Sequence, residues 1–202
     1  FHYMLEVIRF MYLPREKKQI TIYSEGKNYW PHLHSLIEVM LENTNFNVCY
    51  VSSMRDDPGH LLKHPNLKTF TIGCGFVRDH FFQNLDTDIM IMTMPDLDNL
   101  RIKRSINKVH YIYVQHSMVS LHMVYREGAF DNYDTICATG PHHVKEIRAI
   151  EAKKNLPKKN IVKLGYSKLD CLIKNYQLNS NHTKIEKKIN QRILIAPSWG
   201  PK

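Results

Sequence analysis

The segment Tyr111-Ile-Tyr-Val-Gln-His-Ser-Met118 is an apolar run that ends abruptly in Gln115, His116 and Ser117. Aromatic and β-branched residues in such a run are typical of a buried strand. The strand would deliver His116 to the rim of a sheet, and in open α/β folds ligands bind at the rim formed by the carboxyl ends of the strands. The segment therefore predicts both a strand and a candidate site at its end.

An alternation of strand and helix extends over most of the chain. Strand-like segments are predicted at residues 19–23, 45–53, 67–72, 88–94, 109–115, 135–139 and 160–164. Helical patterns are predicted at residues 30–42, 76–85, 140–155 and 169–178, with a short helix beginning within residues 56–60. This spacing indicates βαβ units, so we expect an α/β fold with a Rossmann-like parallel sheet and helices on both faces.

The sequence divides into four parts. Residues 1–18 form a basic amphipathic segment, in which the apolar residues fit one face of a helix. This segment is either a helix packed on the domain or an anchor that lies on a membrane. Residues 19–178 form the Rossmann-like domain, residues 179–192 a polar linker, and residues 193–202 the first strand of a second, truncated domain.

Composition and missing motifs narrow the function. The chain has 28 Lys and Arg against 19 Asp and Glu, a net charge of +9. This excess suits nucleotide phosphates, an anionic lipid surface, nucleic acid or a polyanionic polymer, and it equally suits a solvated surface because the lysines are scattered. The sequence contains no Cys-x-x-Cys, G-x-G-x-x-G, Walker, H-E-x-x-H or G-x-S-x-G motif. Dinucleotide-dependent oxidoreductases, P-loop NTPases, zinc proteases and α/β-hydrolases therefore lose support.

His116 is the candidate catalytic residue. A histidine with a pKa near neutrality can take a proton from an alcohol as the alcohol attacks an electrophile. The alternative is a histidine with a purely structural role, and the residue alone does not decide between the two. Gln115 and Ser117 are candidates for binding substrate or orienting the ring, although in an extended chain they point to the opposite side from His116.

Three more candidates follow in the connection after this strand and in the next helix. Arg126 suits bidentate contact with a phosphate, and Glu127 lies beside it. His142 stands at a predicted helix start, where backbone N–H groups favour an anion. The alternative interpretations are that Arg126 and Glu127 form a pair on a surface loop and that His142 caps the helix.

A glycine turn near the end of the domain supplies the last candidates. Gly165 permits close approach of the backbone to a phosphate. Lys168 could add a positive charge, and Asp170 lies in the first turn of the helix that follows.

Several stretches carry a further signal when they are read together. They are Tyr113-Val-Gln-His-Ser117, Tyr125-Arg-Glu-Gly-Ala-Phe-Asp-Asn-Tyr-Asp134, Thr139-Gly-Pro-His142, Gly165-Tyr-Ser-Lys-Leu-Asp170 and Ile195-Ala-Pro-Ser-Trp-Gly-Pro201. Together they resemble the CDP-glycerol glycerophosphotransferase family of teichoic acid and capsule synthesis. The resemblance covers residues 110–202 by motif and residues 19–109 by topology. It implies the amino-terminal half of a GT-B architecture, in which two Rossmann-like domains face each other across a cleft.

The resemblance also assigns roles to residues. Family members carry a Trp-His-Gly-Thr motif whose histidine is thought to act as general base, and His116 matches that histidine. Gln115 stands in place of the family's Trp and Ser117 in place of its Gly. Residues 165–170 look like the family's Gly-x-Pro-Arg-x-Asp, with Ser and Lys in place of Pro and Arg.

The reaction implied by the resemblance is the transfer of a polyol phosphate. An acceptor hydroxyl, deprotonated by His116, would attack the β-phosphorus of a CDP-polyol and release CMP. The implied partners are the CDP-polyol donor and a lipid-linked or polyol-phosphate polymer acceptor, with an anionic membrane surface as a further candidate and no nucleic acid. No cofactor and no metal is implied.

The four cysteines, widely spaced and mostly in apolar surroundings, suit a reducing cytoplasm, so we expect a cytoplasmic protein, or one that is peripheral on the inner face of the cell membrane. Because the donor site is expected beyond Lys202, the chain alone is expected to be inactive. Two alternatives remain open. One is a GT-B glycosyltransferase or epimerase that uses a sugar nucleotide, and the other is a noncatalytic module that binds anionic polymers or membranes.

Overall fold

The computed structural model describes residues 2–100 and 102–180. The last helix, Ser167–Ser180, extends two residues into the segment predicted as a linker. The rest of that predicted linker and the predicted strand of a second domain, residues 193–202, lie outside the described residues.

Every strand predicted between residues 19 and 164 is present. The strands are β1 (Ile20–Ser24), β2 (Val48–Ser52), β3 (Leu67–Thr71), β4 (Ile89–Met92), β5 (His110–Val114), β6 (Thr135–Ala138) and β7 (Asn160–Lys163). β1 and β2 are buried at every position, as expected of parallel strands that are covered on both faces.

The strands form one seven-stranded sheet in the order β3-β2-β1-β4-β5-β6-β7, and every pairing is parallel. The chain winds in one direction from β1 to β3 and in the other direction from β4 to β7. This reversal makes a topological switch point between β1 and β4, the position at which open α/β folds bind ligands outside the carboxyl ends of their strands. The predicted Rossmann-like sheet is confirmed.

The helices follow the predicted alternation with one addition. They are α1 (His2–Met11), α2 (Trp30–Asn43), α3 (Phe76–Gln83), α4 (Leu121–Val124), α5 (Pro141–Lys154) and α6 (Ser167–Ser180). The sequence does not predict α4, because a single turn is too short to show a helical period. It does mark α5 at both ends, with Pro141 in the first turn and Asn155 in the left-handed conformation after the last turn.

Two apolar clusters cover the opposite faces of the sheet. On one face α2 packs Leu33 and Ile37 against the strands. On the other face α1, α3 and α5 contribute Phe10, Phe81 and Ile147. The helices therefore lie on both faces, as predicted, and the polar ends of the strands are left for the rim.

The amino-terminal helix packs on the domain. The Phe10 ring of α1 contacts Phe70 of β3 and Phe81 of α3 edge-on, with ring centroids 5.4 and 5.0 Å apart. Of the two interpretations of residues 1–18, the packed helix is the one that the structure shows. The outward side of this segment exposes Met4, Leu5, Ile8 and Tyr12. No helix in the described part of the chain is long and apolar enough to cross a membrane.

A buried carboxylate joins the ends of β1 and β2. Asp57 is 2% exposed and accepts hydrogen bonds from the Ser24 hydroxyl at 2.7 Å, the Ser52 hydroxyl at 2.7 Å, the Tyr50 hydroxyl at 2.8 Å and the Gly59 N–H at 3.0 Å. A charge that is taken out of water needs such partners, because an unpaired buried carboxylate is costly. Asp57 thus fixes the point at which the chain leaves β1 for the rim.

We expect Asp57→Ala to lower the free energy of unfolding by about 3 kcal/mol, because it leaves the buried Tyr50 and Ser52 hydroxyl groups without an acceptor and removes one of the two acceptors near the Ser24 hydroxyl. Urea denaturation of the purified chain measures the loss. Asp56→Ala is the matched control, since Asp56 is exposed and pairs only with the exposed Lys27. Equal stability of the two variants would contradict the role given to Asp57.

Candidate active site

His116 lies two residues after the end of β5, at the edge of the sheet where the strands end. β5 pairs with β4, and β4 pairs with β1, so the residue stands close to the switch point. Four rings surround the half-buried imidazole at centroid distances of 5.8 to 6.3 Å, and they belong to Tyr29, His32, Tyr113 and Tyr125. The predicted position of His116 at the rim is confirmed.

Each ring nitrogen of His116 faces a tyrosine hydroxyl. The Tyr113 hydroxyl is 3.1 Å from Nδ1, and the Tyr125 hydroxyl is 3.4 Å from Nε2. A tyrosine hydroxyl can both donate and accept. When Nδ1–H donates to the Tyr113 oxygen, the lone pair of Nε2 is free to take a proton. The longer contact, at Nε2, is the weaker one, so it is the contact that a substrate hydroxyl can replace.

The environment keeps His116 neutral. Burial lowers the pKa of His116 below its ordinary value of 6.5, and hydrogen bonding with the Thr93 backbone acts in the opposite direction. Burial also raises the pKa of the Tyr113 phenol well above its usual value. At pH 7 both groups are therefore uncharged, and the imidazole is in the form that a general base requires.

The end of β1 and the start of α2 bring more polar groups to the same rim. Glu25 directly follows β1 and hydrogen-bonds to Tyr29. Burial raises the pKa of Glu25, and burial together with Glu25 raises the pKa of Tyr29 to about 12. His32 is 6% exposed, and burial lowers its pKa to about 4 with the help of Lys168 and His116.

The segment that begins α6 lies beside both histidines. The Tyr166 hydroxyl donates a hydrogen bond of 3.0 Å to the His116 carbonyl oxygen. The Ser167 hydroxyl donates one of 3.3 Å to the His32 carbonyl oxygen. The glycine turn of the sequence prediction is therefore part of the same constellation as His116.

The predicted residues of this turn differ in exposure. Gly165 has a φ of 82° and nothing within 4 Å of the position where a Cβ would stand, so the space in front of the helix is open. Lys168 is half-buried and Asp170 is exposed, both in the first turn of α6. Within residues 2–100 and 102–180, no three His, Cys, Asp or Glu side chains converge as ligands for a metal ion.

The two neighbours of His116 have different surroundings. The Ser117 hydroxyl is 3.0 Å from the Tyr125 hydroxyl, so it joins the network at the ring. The Gln115 side chain is 3% exposed, and neither of its amide atoms has a hydrogen-bond partner among the described residues. Gln115 is enclosed by the protein, and a substrate-binding role for it stays a prediction.

Arg126 and Glu127 lie farther along the connection and do not contact His116. Both line a cavity of about 560 Å³ between this segment and α5, whose wall also includes Tyr125. Glu127 stands 3.6 Å from the Lys154 ammonium group. The structure therefore places this predicted pair in a neighbouring cavity and connects it to the site only through the chain at Tyr125.

His142 also lies apart from the ring of His116. It is exposed, and its Nε2 is 3.2 Å from the Met118 carbonyl oxygen. Its neighbour His143 is fully buried, with Nδ1 3.0 Å from the Thr139 hydroxyl and Nε2 2.9 Å from the Val119 carbonyl oxygen. Both histidines tie the start of α5 to the connection after β5, which is the structural alternative considered for this helix start.

Sequence reasoning assigns no role to several side chains that surround His116. They are Glu25, Tyr29, His32, Tyr113, Tyr125 and Tyr166. Only Glu25 could have been found from the sequence. It is the first residue after a buried strand, and polar residues in that position lie at the rim of the sheet, as was argued for His116. The tyrosines and His32 sit within apolar patterns that predict burial, and burial alone does not say which side chains meet.

The fold and the rim define a class of protein: a Rossmann-like α/β domain with a neutral histidine beside the switch point of its sheet. Among solved structures, the chain is similar to a His-to-Asn variant of the wall teichoic acid polymerase TagF soaked with CDPG, with a TM-score of 0.52 and 12% sequence identity. The match covers 92% of this chain and 51% of that one, so the chain spans about half the length of TagF. The likeness confirms the predicted fold class, one Rossmann-like half of a GT-B architecture.

No protein-family model and no curated protein matches the sequence.

We expect His32→Gln to reduce the acid sensitivity of the fold. The pKa of His32 is about 4 in the folded chain and 6.5 ordinarily, so between these values the unfolded chain binds more protons. The stability that His32 contributes is therefore complete above pH 6.5 and is lost as the pH falls towards 4. Linkage gives a loss of about 2 kcal/mol between pH 7 and pH 4.5 that the variant lacks.

Urea unfolding at the two pH values measures this difference. The control is His34→Gln, because His34 lies on the same helix but its side chain pairs with Glu38 at the surface. The control should keep the pH dependence of the wild type. If His32→Gln keeps it as well, the buried ring is not held neutral.

Proposed function

We propose that the chain is the acceptor-side domain of a transferase that moves a polyol phosphate from a CDP-linked donor to a hydroxyl group, with His116 as general base. The observation that carries this proposal is the pair of contacts on the imidazole. The hydroxyl of the buried Tyr113 is 3.1 Å from Nδ1, whereas the hydroxyl of Tyr125 at the rim is 3.4 Å from Nε2, a longer and weaker contact. The likeness to a teichoic acid polymerase soaked with CDPG supports the choice of donor.

The contacts suggest how the proton moves. The acceptor hydroxyl takes the place of the Tyr125 hydroxyl and donates its hydrogen bond to Nε2. As the oxygen forms its bond to the β-phosphorus of the donor, its proton passes to Nε2 and the bond from phosphorus to the CMP oxygen breaks. Nδ1–H keeps its hydrogen bond to Tyr113 throughout, so the ring does not have to turn.

The environment keeps the imidazole ready to accept a proton. Burial lowers the pKa of His116, so the ring is unprotonated before the substrate binds. The proton that it accepts is therefore held weakly and returns readily to solvent once the product leaves. The excess positive charge of the chain, +9, suits both an anionic donor and a polyol-phosphate polymer or lipid-linked acceptor.

We expect His116→Asn to lower transfer about 10²- to 10⁴-fold in the full-length protein, which is the range for loss of a general base. Release of CMP from CDP-glycerol and from CDP-ribitol measures the reaction. His80→Asn is the control, since His80 is exposed on α3 and its ring stacks on Phe76. The chain of 202 residues, assayed alone, should show no turnover if the donor site lies in a second domain.

Other outcomes would assign the chain to the alternatives. Turnover of UDP-sugars without turnover of either CDP-polyol would indicate a GT-B glycosyltransferase or epimerase. Unchanged turnover in His116→Asn would remove the base. Absence of turnover with any nucleotide, together with retained binding of an anionic polymer, would indicate a noncatalytic module.

A peripheral position on the inner face of the cell membrane is part of the same proposal. It is supported by four apolar side chains on the outward side of the amino-terminal segment: Met4, Leu5, Ile8 and Tyr12. Amphipathic segments with basic flanks bind anionic bilayers through such a face.

We expect the double substitution Leu5→Ser and Ile8→Ser to weaken binding to phosphatidylglycerol vesicles at least about tenfold, because each lost apolar side chain removes buried area in the bilayer. Co-sedimentation with the vesicles measures it. Val39→Ser, which removes an exposed apolar side chain from α2, is the control. Equal binding of both variants would show that the exposed apolar residues of the amino-terminal segment do not bind the membrane.

A further inference from the structure

His32 is a buried histidine that has no hydrogen-bonding task inside the protein. Its side chain is 6% exposed, and its Nδ1 is buried without a partner. Within residues 2–100 and 102–180 no hydrogen bond of either ring nitrogen is found, and the hydrogen bonds of His32 are those of its backbone, whose N–H donates to the Tyr29 carbonyl oxygen and whose carbonyl oxygen accepts from Ser167. Buried polar groups in native proteins are paired in the great majority of cases. An imidazole without a hydrogen-bond partner at the rim of a candidate site therefore indicates that a ligand binds it.

The surroundings of His32 point to the location of that partner. Its ring stands at 80° to the His116 ring with the centroids 6.1 Å apart, and it packs at 5.7 Å against Tyr166. Lys168 is close enough for its charge to act on the imidazole. The unpartnered ring thus lies between the proposed base and the first turn of α6.

The first turn of α6 has the features of an anion site. The helix is 14 residues long, and the N–H groups of Leu169 and Asp170 donate to the Tyr166 carbonyl oxygen, whereas those of Ser167 and Lys168 have no acceptor among the described residues. Such a terminus favours negative charge, and Gly165 leaves open space in front of it. Lys168 supplies a full positive charge in the same turn. Asp170 is the one acidic residue of this turn, and it is exposed to solvent, where its charge is screened.

We propose that His32, Lys168 and the first turn of α6 bind the oxygens of a phosphate ester and hold it beside His116. The neutral imidazole donates one N–H bond, the ammonium group supplies the charge, and the helix start supplies backbone donors. The subsite deepens the proposed function and rests on it only for the identity of the ester. The phosphate belongs either to the acceptor or to the donor, and both present the same oxyanion chemistry.

Histidine ring signals of the full chain, followed by NMR, provide the test. Glycerol 3-phosphate and CDP-glycerol are titrated separately, and glycerol serves as the probe without a phosphate. We expect a phosphate ester to shift the ring signals of His32 and His116 together, and glycerol to shift neither. Tighter binding of glycerol 3-phosphate identifies the acceptor as the source of the phosphate, and tighter binding of CDP-glycerol identifies the donor.

Matched variants give the test its specificity. His32→Gln and Lys168→Met should each weaken binding of the ester about tenfold, the effect of one charge-assisted hydrogen bond. His34→Gln and Lys174→Met, on the same two helices, should bind as the wild type does, because His34 is only partly buried and pairs with Glu38, and Lys174 is exposed. Lys168→Met keeps the test decisive if His32→Gln fails to fold, because Lys168 is not part of the core.

Three results would overturn the subsite. They are equal shifts with glycerol, no shift with either phosphate ester, and unchanged affinity in Lys168→Met. These results are distinct from failure of the proposed function. Phosphate binding without turnover in the full-length protein would leave the subsite in place and remove the transferase, whereas turnover with unaltered binding in Lys168→Met would do the reverse.

Discussion

The buried carboxylate of Asp57 is the interaction on which the geometry of the rim depends. Four donors converge on it from the ends of β1 and β2 and from the loop that follows β2. Ser24 is the last residue of β1, so the bond from its hydroxyl determines where Glu25 leaves the sheet. Glu25 in turn contacts Tyr29, at the start of the helix that carries His32. A carboxylate far from the chemistry therefore sets the approach of α2 to the rim.

The support behind His116 differs from that of a catalytic triad. A triad places a carboxylate on Nδ1, which orients the ring and stabilises the imidazolium. Here a tyrosine hydroxyl holds Nδ1, so the ring is oriented without the electrostatic assistance of a charge. Burial lowers the pKa further. In the proposed transfer, the negative charge on the phosphoryl oxygens would stabilise the imidazolium in place of a carboxylate.

How far the sequence predicts this molecule depends on the range of the interactions concerned. Strands such as β5 are predictable, because an apolar run and its polar end are local features, and parallel pairing then brings the ends to one rim. The four-residue helix α4 is too short to show a period. The meeting of His32 with residue 116 joins α2 to β5 across the sheet, and no spacing along the chain encodes it. Arg126 lines the neighbouring cavity together with Tyr125 and does not reach the His116 ring, because a position next to Tyr125 in the sequence does not make the two side chains point to the same group.

The two histidines at the rim are coupled, and the coupling favours the proposed chemistry. The charge of a protonated His116 lowers the pKa of His32. A protonated His116 therefore makes protonation of His32 less favourable, in addition to the larger effects of burial and of the Lys168 charge. In the proposed mechanism His32 consequently remains a neutral donor while His116 carries the proton, so the positive charge appears at the ring that faces the acceptor oxygen. If both histidines had ordinary pKa values, either ring could carry the proton. The burial that leaves the His32 side chain without an internal partner therefore also keeps the proposed roles of the two rings separate.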